Sequence, residues 1–483
     1  MSKDFFPQKK PCLSPSLVIQ YPQKTRREGI KVKLQRRDIN LTEGPLLKNV
    51  LLFAIPIILS SILQLLFNAA DVIVVGRFAG ETELAAVGST GTTVNLIVNV
   101  FIGLSISANI IVARQIGARD YAAIGKTVHT SILLAMIMGV FSAIVLFFFA
   151  PYFLRLLDTP SDILASASKY LKAYAVGVPA NIIYNFGAGI LRAKGDTTRP
   201  LYFLVIAGVV NVILNLISVL GFHLGAVGVG IATAASQIVA CVLILLCLAH
   251  EDGPCKLYFS KLRLRKAETA EILRLGLPAG IQSSLFSISN MLITASINSF
   301  GSTAFIAGNA ACSNIEGFIY AGMHAIYQTN LTLAGQNLGA KKFDRIDKGL
   351  GVCCGCAAVI GLVLGVLATI FRSSLISIYS SDPAVISSVT ERFYLLVLPY
   401  ALCGLMETVM GSVRGVGYSL LPMFTSLMGA CVFRVVWIST IFAHYHTEAS
   451  LFVSYPISWI LTTAAHFICF LIVRKKIRKN LAL

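Results

Sequence analysis

The chain has 483 residues, of which 56% are hydrophobic and 13% charged, with a mean hydropathy of +0.77. A charged share about half that of a soluble domain leaves too little polar surface to cover a globule of this length, which excludes a string of soluble domains. The formal charge is nevertheless +18, from 40 Lys and Arg against 22 Asp and Glu, so where the basic residues lie decides what they mean.

Residues 1–44 carry Lys24, Arg26, Arg27, Lys31, Lys33, Arg36 and Arg37 among Pro and Ser, without the apolar core of a cleavable signal peptide. They read as a basic, disordered cytoplasmic tail. Twelve apolar stretches follow, near 48–75, 88–112, 127–154, 163–190, 200–221, 226–249, 272–298, 304–333, 349–376, 384–411, 420–443 and 450–473. Each is long enough to cross about 30 Å of hydrocarbon, for which roughly 20 helical residues suffice. An even number puts both ends on one side. Alternate loops and the two ends on that side hold 33 Lys and Arg, whereas the opposite loops hold six: Arg77, Arg155, Lys169, Lys172, Arg372 and Arg392. Arg434 lies inside a stretch and completes the 40. This is the positive-inside bias of a multi-pass protein of a plasma or bacterial inner membrane with both termini cytoplasmic, so nucleic-acid binding is not needed to explain the charge.

Sliding the chain on itself by 222 residues brings Pro56 onto Pro278, Asn68 onto Asn290, Gly117-Ala118-Arg119 onto Gly339-Ala340-Lys341, Arg192 onto Arg414 and Pro200 onto Pro422. Six spans per repeat insert both halves in the same sense, a parallel repeat about an axis along the membrane normal. The expected fold is therefore an all-α integral membrane protein of twelve transmembrane helices in two six-helix lobes. The lobes are 45–249 and 272–474, joined by a basic cytoplasmic connection at 250–271 and followed by a basic tail at 475–483. A cleft between two such lobes suits alternating access, whereas a pore would more simply use identical rings.

Several motifs occur in order: Ala54-Ile55-Pro56, Asn68-Ala69-Ala70-Asp71, Leu84-Ala85-Ala86-Val87, and two that are repeated, Gln115-Ile116-Gly117-Ala118-Arg119 with Gln336-Asn337-Leu338-Gly339-Ala340-Lys341, and Leu191-Arg192-Ala193-Lys194-Gly195-Asp196 with Val413-Arg414-Gly415-Val416-Gly417. Over about 45–474 they resemble the multidrug and toxic compound extrusion (MATE) antiporters. The resemblance implies export of cationic or amphiphilic compounds in exchange for H+ or Na+, with no other cofactor, by a chain acting as a monomer. It also implies a coupling-ion site at the positions of Asp71, Asn185, Asn211, Asn215 and Thr233. Some members carry an Asp where this chain has Asn215, so a two-carboxylate proton relay is not expected here.

The residues themselves point to the same place. Intramembrane acids are costly and mark function, and only Asp71, Glu316 and Glu407 qualify. Gln64, Asn68 and Asp71 fall at i, i+4 and i+7 on one helical stripe, and Asn211 and Asn215 are one turn apart. One carboxylate among neutral oxygens suits a proton or a monovalent cation better than a dication. By the repeat offset, Asp71, Asn185, Asn211, Asn215 and Thr233 become Ile293, Glu407, Phe433, Trp437 and Tyr455, so the scaffold is duplicated and the chemistry is not. The substrate cavity is then expected to use Gln64, Asn68, Glu316, Glu407, Phe433 and Trp437, holding a flat cation by stacking and charge.

His223, His324, His444, His446 and His466 read as loop or interface residues, and the cysteines as small buried hydrophobes without a zinc set. No clustered nucleophile, metal site or acid/base pair suggests an enzyme. The alternative within transport is a flippase for lipid-linked oligosaccharides, which a strongly basic cavity would favour.

Overall fold

The computed structural model describes residues 38–481, which are helical and contain no strand. Twelve spans follow in order: α1 (Leu46–Phe78), α2 (Glu81–Gly117), α3 (Tyr121–Leu156), α4 (Ser161–Lys194), α5 (Thr198–Gly221), α6 (Gly225–Ala249), α7 (Lys266–Asn298), α8 (Thr303–Gly339), α9 (Phe343–Ile370), α10 (Pro383–Gly415), α11 (Leu420–Tyr445) and α12 (Glu448–Lys479). The 37 residues of α2 and of α8 stretch about 55 Å at 1.5 Å each, so both helices stand well proud of the hydrocarbon layer.

Among the described residues, nine of these helices are apolar enough to cross a membrane on composition alone. The other three, α4, α7 and α8, spend polar residues on protein rather than on lipid. In the N-terminal lobe, α2, α3 and α6 pack around α4. In the C-terminal lobe α8 packs between α9 and α10 and buries Asn309, Glu316, Thr329, Asn330, Gln336 and Asn337. A span enclosed by neighbours can carry such groups because each finds a partner inside the protein.

The lobes meet on the side where the described termini lie. Near that end α2 and α8 cross with their glycines reciprocally placed: a Cβ on Gly117 would strike the carbonyl of Gln336, and one on Gly339 would strike the carbonyl of Arg114. Deeper in, Gly103 of α2 and Gly280 of α7 allow an equally close approach. Thr332 donates to Asn109 Oδ1 at 3.1 Å, Gln336 Nε2 to the Ala193 carbonyl at 2.8 Å, and Arg114 to Glu271 at 2.5 Å. Among the described residues, the hydrogen bonds between lobes lie from the middle of the membrane to this terminal side. The polar contacts between the lobes are therefore concentrated on that half.

Three expectations need correction. The part of the expected tail up to residue 37 lies outside the described residues, but residues 38–44 form a strap laid across both lobes. Its amides and carbonyls have specific partners: Ile39 N donates to the Gly195 carbonyl at 3.0 Å, Leu41 N to Gln336 Oε1 at 3.2 Å, and Arg345 to the carbonyls of Leu41, Glu43 and Gly44 at 2.9, 2.7 and 2.8 Å. Leu41 is fully buried beside Val50 and Phe53 of α1 and Leu333 of α8. At the other end, the expected tail from residue 475 continues the last helix to Leu481, and Arg474 and Arg478 bond Asp347 and Asp344 on α9. Arg392, counted with the loops, is buried inside α10 because Glu316 of α8 neutralises it there.

Candidate functional site

Asp71 sits on α1 where that helix passes α5 and α6, with its carboxylate turned into the N-terminal lobe. Asn215 Nδ2 donates to Asp71 Oδ1 at 2.5 Å, and Thr233 Oγ1 lies 3.4 Å from Oδ2. Asn211 closes the group, its Oδ1 accepting from Asn215 at 3.2 Å and its Nδ2 reaching Thr233 at 3.5 Å. The one-turn spacing of Asn211 and Asn215 puts both amides on the buried face of α5. Directly after Asn215 the helix widens into an i→i+5 turn over Ile217–Gly221, a local departure that tends to accompany functional positions.

The side-chain oxygen of Asn215, Oδ1, is fully buried and has no hydrogen-bond partner. An orphaned amide oxygen beside a carboxylate, with Asn211 and Thr233 oxygens close by, is an all-oxygen donor set bearing one negative charge. That set fits a monovalent hard cation such as Na+, and the carboxylate alone can take a proton. No group of three or more His, Cys, Asp or Glu side chains suited to a metal occurs among the described residues. Of the five residues grouped from the sequence, Asn185 stands apart: its amide bonds Asn181, at 2.9 Å to the carbonyl and 3.1 Å to the side chain. Gln64 and Asn68 lie exposed on the stripe that ends in Asp71.

The acids of the C-terminal lobe have divergent fates. Glu316 is buried, and Arg392 takes both of its oxygens, at 2.8 and 2.9 Å, while also bonding Asn309 and Ser313. It is one half of a closed ion pair, which removes it from the expected substrate cavity. Glu407 instead accepts from Tyr320 at 2.7 Å and lies 3.3 Å from His324 Nδ1. Tyr320, His324 and Tyr327 form a ladder of rings on α8, and Arg414 ties its end by donating to Tyr327 at 2.9 Å and to Gln282 at 2.6 Å. Sequence alone groups His324 with the loop or interface histidines and does not single out Tyr320. Their signal was the spacing Glu316, Tyr320, His324, Tyr327, the same periodic stripe that singled out Asp71 on α1.

Phe433 and Trp437 also share a stripe, with ring centroids 5.6 Å apart, and both are partly exposed. Trp437 Nε1 is anchored on the Ser450 carbonyl at 2.7 Å. Wide turns over Leu427–Val432 and Ile438–Phe442 bracket the pair, as one follows the asparagines in α5. The repeat thus conserves a helix irregularity at matching places while exchanging amides for aromatic rings.

Comparisons with known proteins follow the same division. The family model described as MatE matches residues 56–217 and again 278–439, one match in each lobe. The chain is 27% identical over 442 residues to the probable multidrug resistance protein YpnP of Bacillus subtilis (strain 168), covering 91% of this chain and 98% of that protein. It is 28% identical over 382 residues to the probable multidrug resistance protein NorM of Aromatoleum aromaticum, covering 76% and 80%. A solved outward-facing conformation of a multidrug resistance MATE family transporter of the MOP superfamily has the same fold, with a TM-score of 0.83 at 22% identity over 92% of this chain and 98% of that one. With well over half of its length matched, in two copies that coincide with the two lobes, the chain belongs to the MatE family of multidrug and toxic compound extrusion transporters.

Proposed function

We propose that this multi-pass membrane protein is a bacterial plasma-membrane antiporter, acting as a monomer, that exports cationic or amphiphilic organic compounds in exchange for H+ or Na+. The observation that carries the reading is the Asp71 cradle, a single intramembrane carboxylate with Asn211, Asn215 and Thr233 around it and one buried amide oxygen left open. The distribution of basic residues supports cytoplasmic termini, and in the proposed cycle the lobe contacts close the cytoplasmic side while the cleft opens outward. In that state the cradle receives the coupling ion. An unneutralised carboxylate among apolar helices is costly, and a proton or Na+ relieves the cost. Substrate is held across the cleft by Glu407, whose orientation Tyr320 and His324 set, together with the exposed edges of Phe433 and Trp437 and the amides of Gln64 and Asn68.

The flippase alternative asks for exposed basic groups along the cleft. Arg392, Arg414 and Arg434 are each only 4% exposed, and each has its own partner, Glu316, Gln282 and Ser458 respectively, which weighs against it. The test is ethidium transport in proteoliposomes under separately imposed pH and Na+ gradients. The antiporter reading expects concentrative transport under at least one gradient and names the ion by which. Transport under neither, across a panel of organic cations, contradicts it.

A further inference from the structure

A second feature has no part in this transport scheme. On the terminal side, the turn between α8 and α9 and the end of the last helix enclose a basin of about 560 Å³. Lys341, Lys342, Arg345, Lys348 and Arg478 line it, against one acid, Asp344. That acid is already engaged by Arg478 at 2.7 Å. Arg345 spends its donors on the neutral carbonyls of the strap and makes no ion pair among the described residues. Lys342 bonds the Thr42 carbonyl and, among the described residues, has as its only ion-pair partner the exposed Glu43 at 3.7 Å. Lys341 and Lys348 are exposed and have no ion pair among the described residues.

The repeat divides this charge: Lys341 and Lys348 have basic counterparts in the N-terminal lobe, Arg119 and Lys126, whereas Lys342 and Arg345 do not. The equivalent turn of the N-terminal lobe has the same backbone, with Arg119 at φ 56° matching Lys341 at φ 58°. Yet the positions of Lys342 and Arg345 are there occupied by Asp120 and Ala123. The same positive-φ turn with two further cations, one of them in place of an acid, makes the C-terminal copy the more basic of the two. Several uncompensated cations around one concavity repel one another, and a ligand with several anionic oxygens relieves that repulsion. The apolar lining consists of Leu46 and Phe343, and the exposed Leu47 and Leu51 continue along the lipid-facing side of α1.

We propose that this basin is a phosphate-binding site, occupied by the headgroup of an anionic glycerophospholipid whose chains run along α1. Anionic headgroups gain about fivefold in affinity per nearby Lys or Arg, so two lysines should matter by more than tenfold. The test titrates fluorescent phosphatidic acid into the purified full-length protein in a nonionic detergent, with unlabelled phosphatidylcholine or inorganic phosphate as competitor. Lys341→Gln/Lys348→Gln leaves the strap contacts untouched and should weaken binding at least tenfold. Lys475→Gln/Lys479→Gln, at exposed basic positions outside the basin, should leave binding within about twofold. Phosphatidylcholine should not displace the probe. Displacement by inorganic phosphate at millimolar concentration, with no preference for the lipid, would overturn the lipid assignment in favour of a soluble phosphate. Equal weakening by both double variants, or none by the first, would overturn the site itself.

Discussion

Glu316 and Glu407 are the same residue type on facing helices of one lobe, and only their partners separate them. Glu316 and Arg392 form a buried pair with oxygen and nitrogen atoms fully used, so removing one partner strands the other charge. Glu316→Leu should therefore lower stability by about 3–5 kcal/mol, and the double change Glu316→Leu/Arg392→Met should recover most of it. Glu407→Gln keeps an acceptor for Tyr320 and should shift the unfolding midpoint little. Thermal unfolding of the purified variants in detergent checks all three, and a large loss for Glu407→Gln would make that residue structural. The cradle around Asp71 was legible in the sequence in part: helical spacing marks Asp71 on its polar stripe and pairs Asn211 with Asn215, whereas their grouping with Thr233 is what the family resemblance implies. Asn185 was not separable, since whether an amide turns to its own helix or across the lobe depends on packing. Nor was Arg392, because counting charges along the chain cannot distinguish a residue in a loop from one neutralised by an acid 76 positions away.

At the scale of elements, spans were readable and their ends were not. Among the described residues, apolar length and composition alone mark nine of the twelve spans, α4, α7 and α8 carrying polar residues that their neighbours enclose, and nothing in hydropathy says that residues 38–44 dock or that the last helix runs to Leu481. Those depend on distant partners, Gln336, Asn337 and Arg345 for the strap. Leu41 supplies the strap's buried side chain, and Leu41→Ala should cost about 2–4 kcal/mol, read as a lower unfolding midpoint. The strap's first residue joins an ion cluster in which Lys194 meets both Asp38, at 2.9 Å, and Glu251, at 2.7 Å. Burial raises the proton affinity of the Glu251 carboxyl, but bonds and charge from Lys194 and Arg199 outweigh it and hold the group below its ordinary value. A carboxyl depressed in the folded state stabilises above its unfolded value of about 4.3 and loses that contribution as pH falls through the folded one. The midpoint should thus stay level from neutral pH to about 5 and fall below about 4. Glu251→Gln should lower the level part and flatten the acid fall, and an unchanged acid fall would assign it to other groups.

Across the whole molecule, duplication gives two alike lobes that differ in chemistry: a carboxylate with amides in one, aromatic and acidic surface in the other. What joins them is close backbone contact at Gly117 and Gly339, where no Cβ fits. Gly339→Val should prevent the lobes from closing on the terminal side. A cysteine placed near that crossing should then become more reactive toward thiol reagents added from that side, while the variant still inserts and binds substrate. Unchanged reactivity would show that the crossing is not the closing contact. The most direct test of the account compares Asp71→Asn with the native protein for gradient-driven efflux in proteoliposomes, with substrate affinity of the same preparations as reference. The variant keeps size and hydrogen bonding but cannot exchange a charge for an ion. Retained substrate affinity with concentrative efflux reduced at least tenfold is the predicted result, whereas undiminished uphill efflux by Asp71→Asn would contradict it.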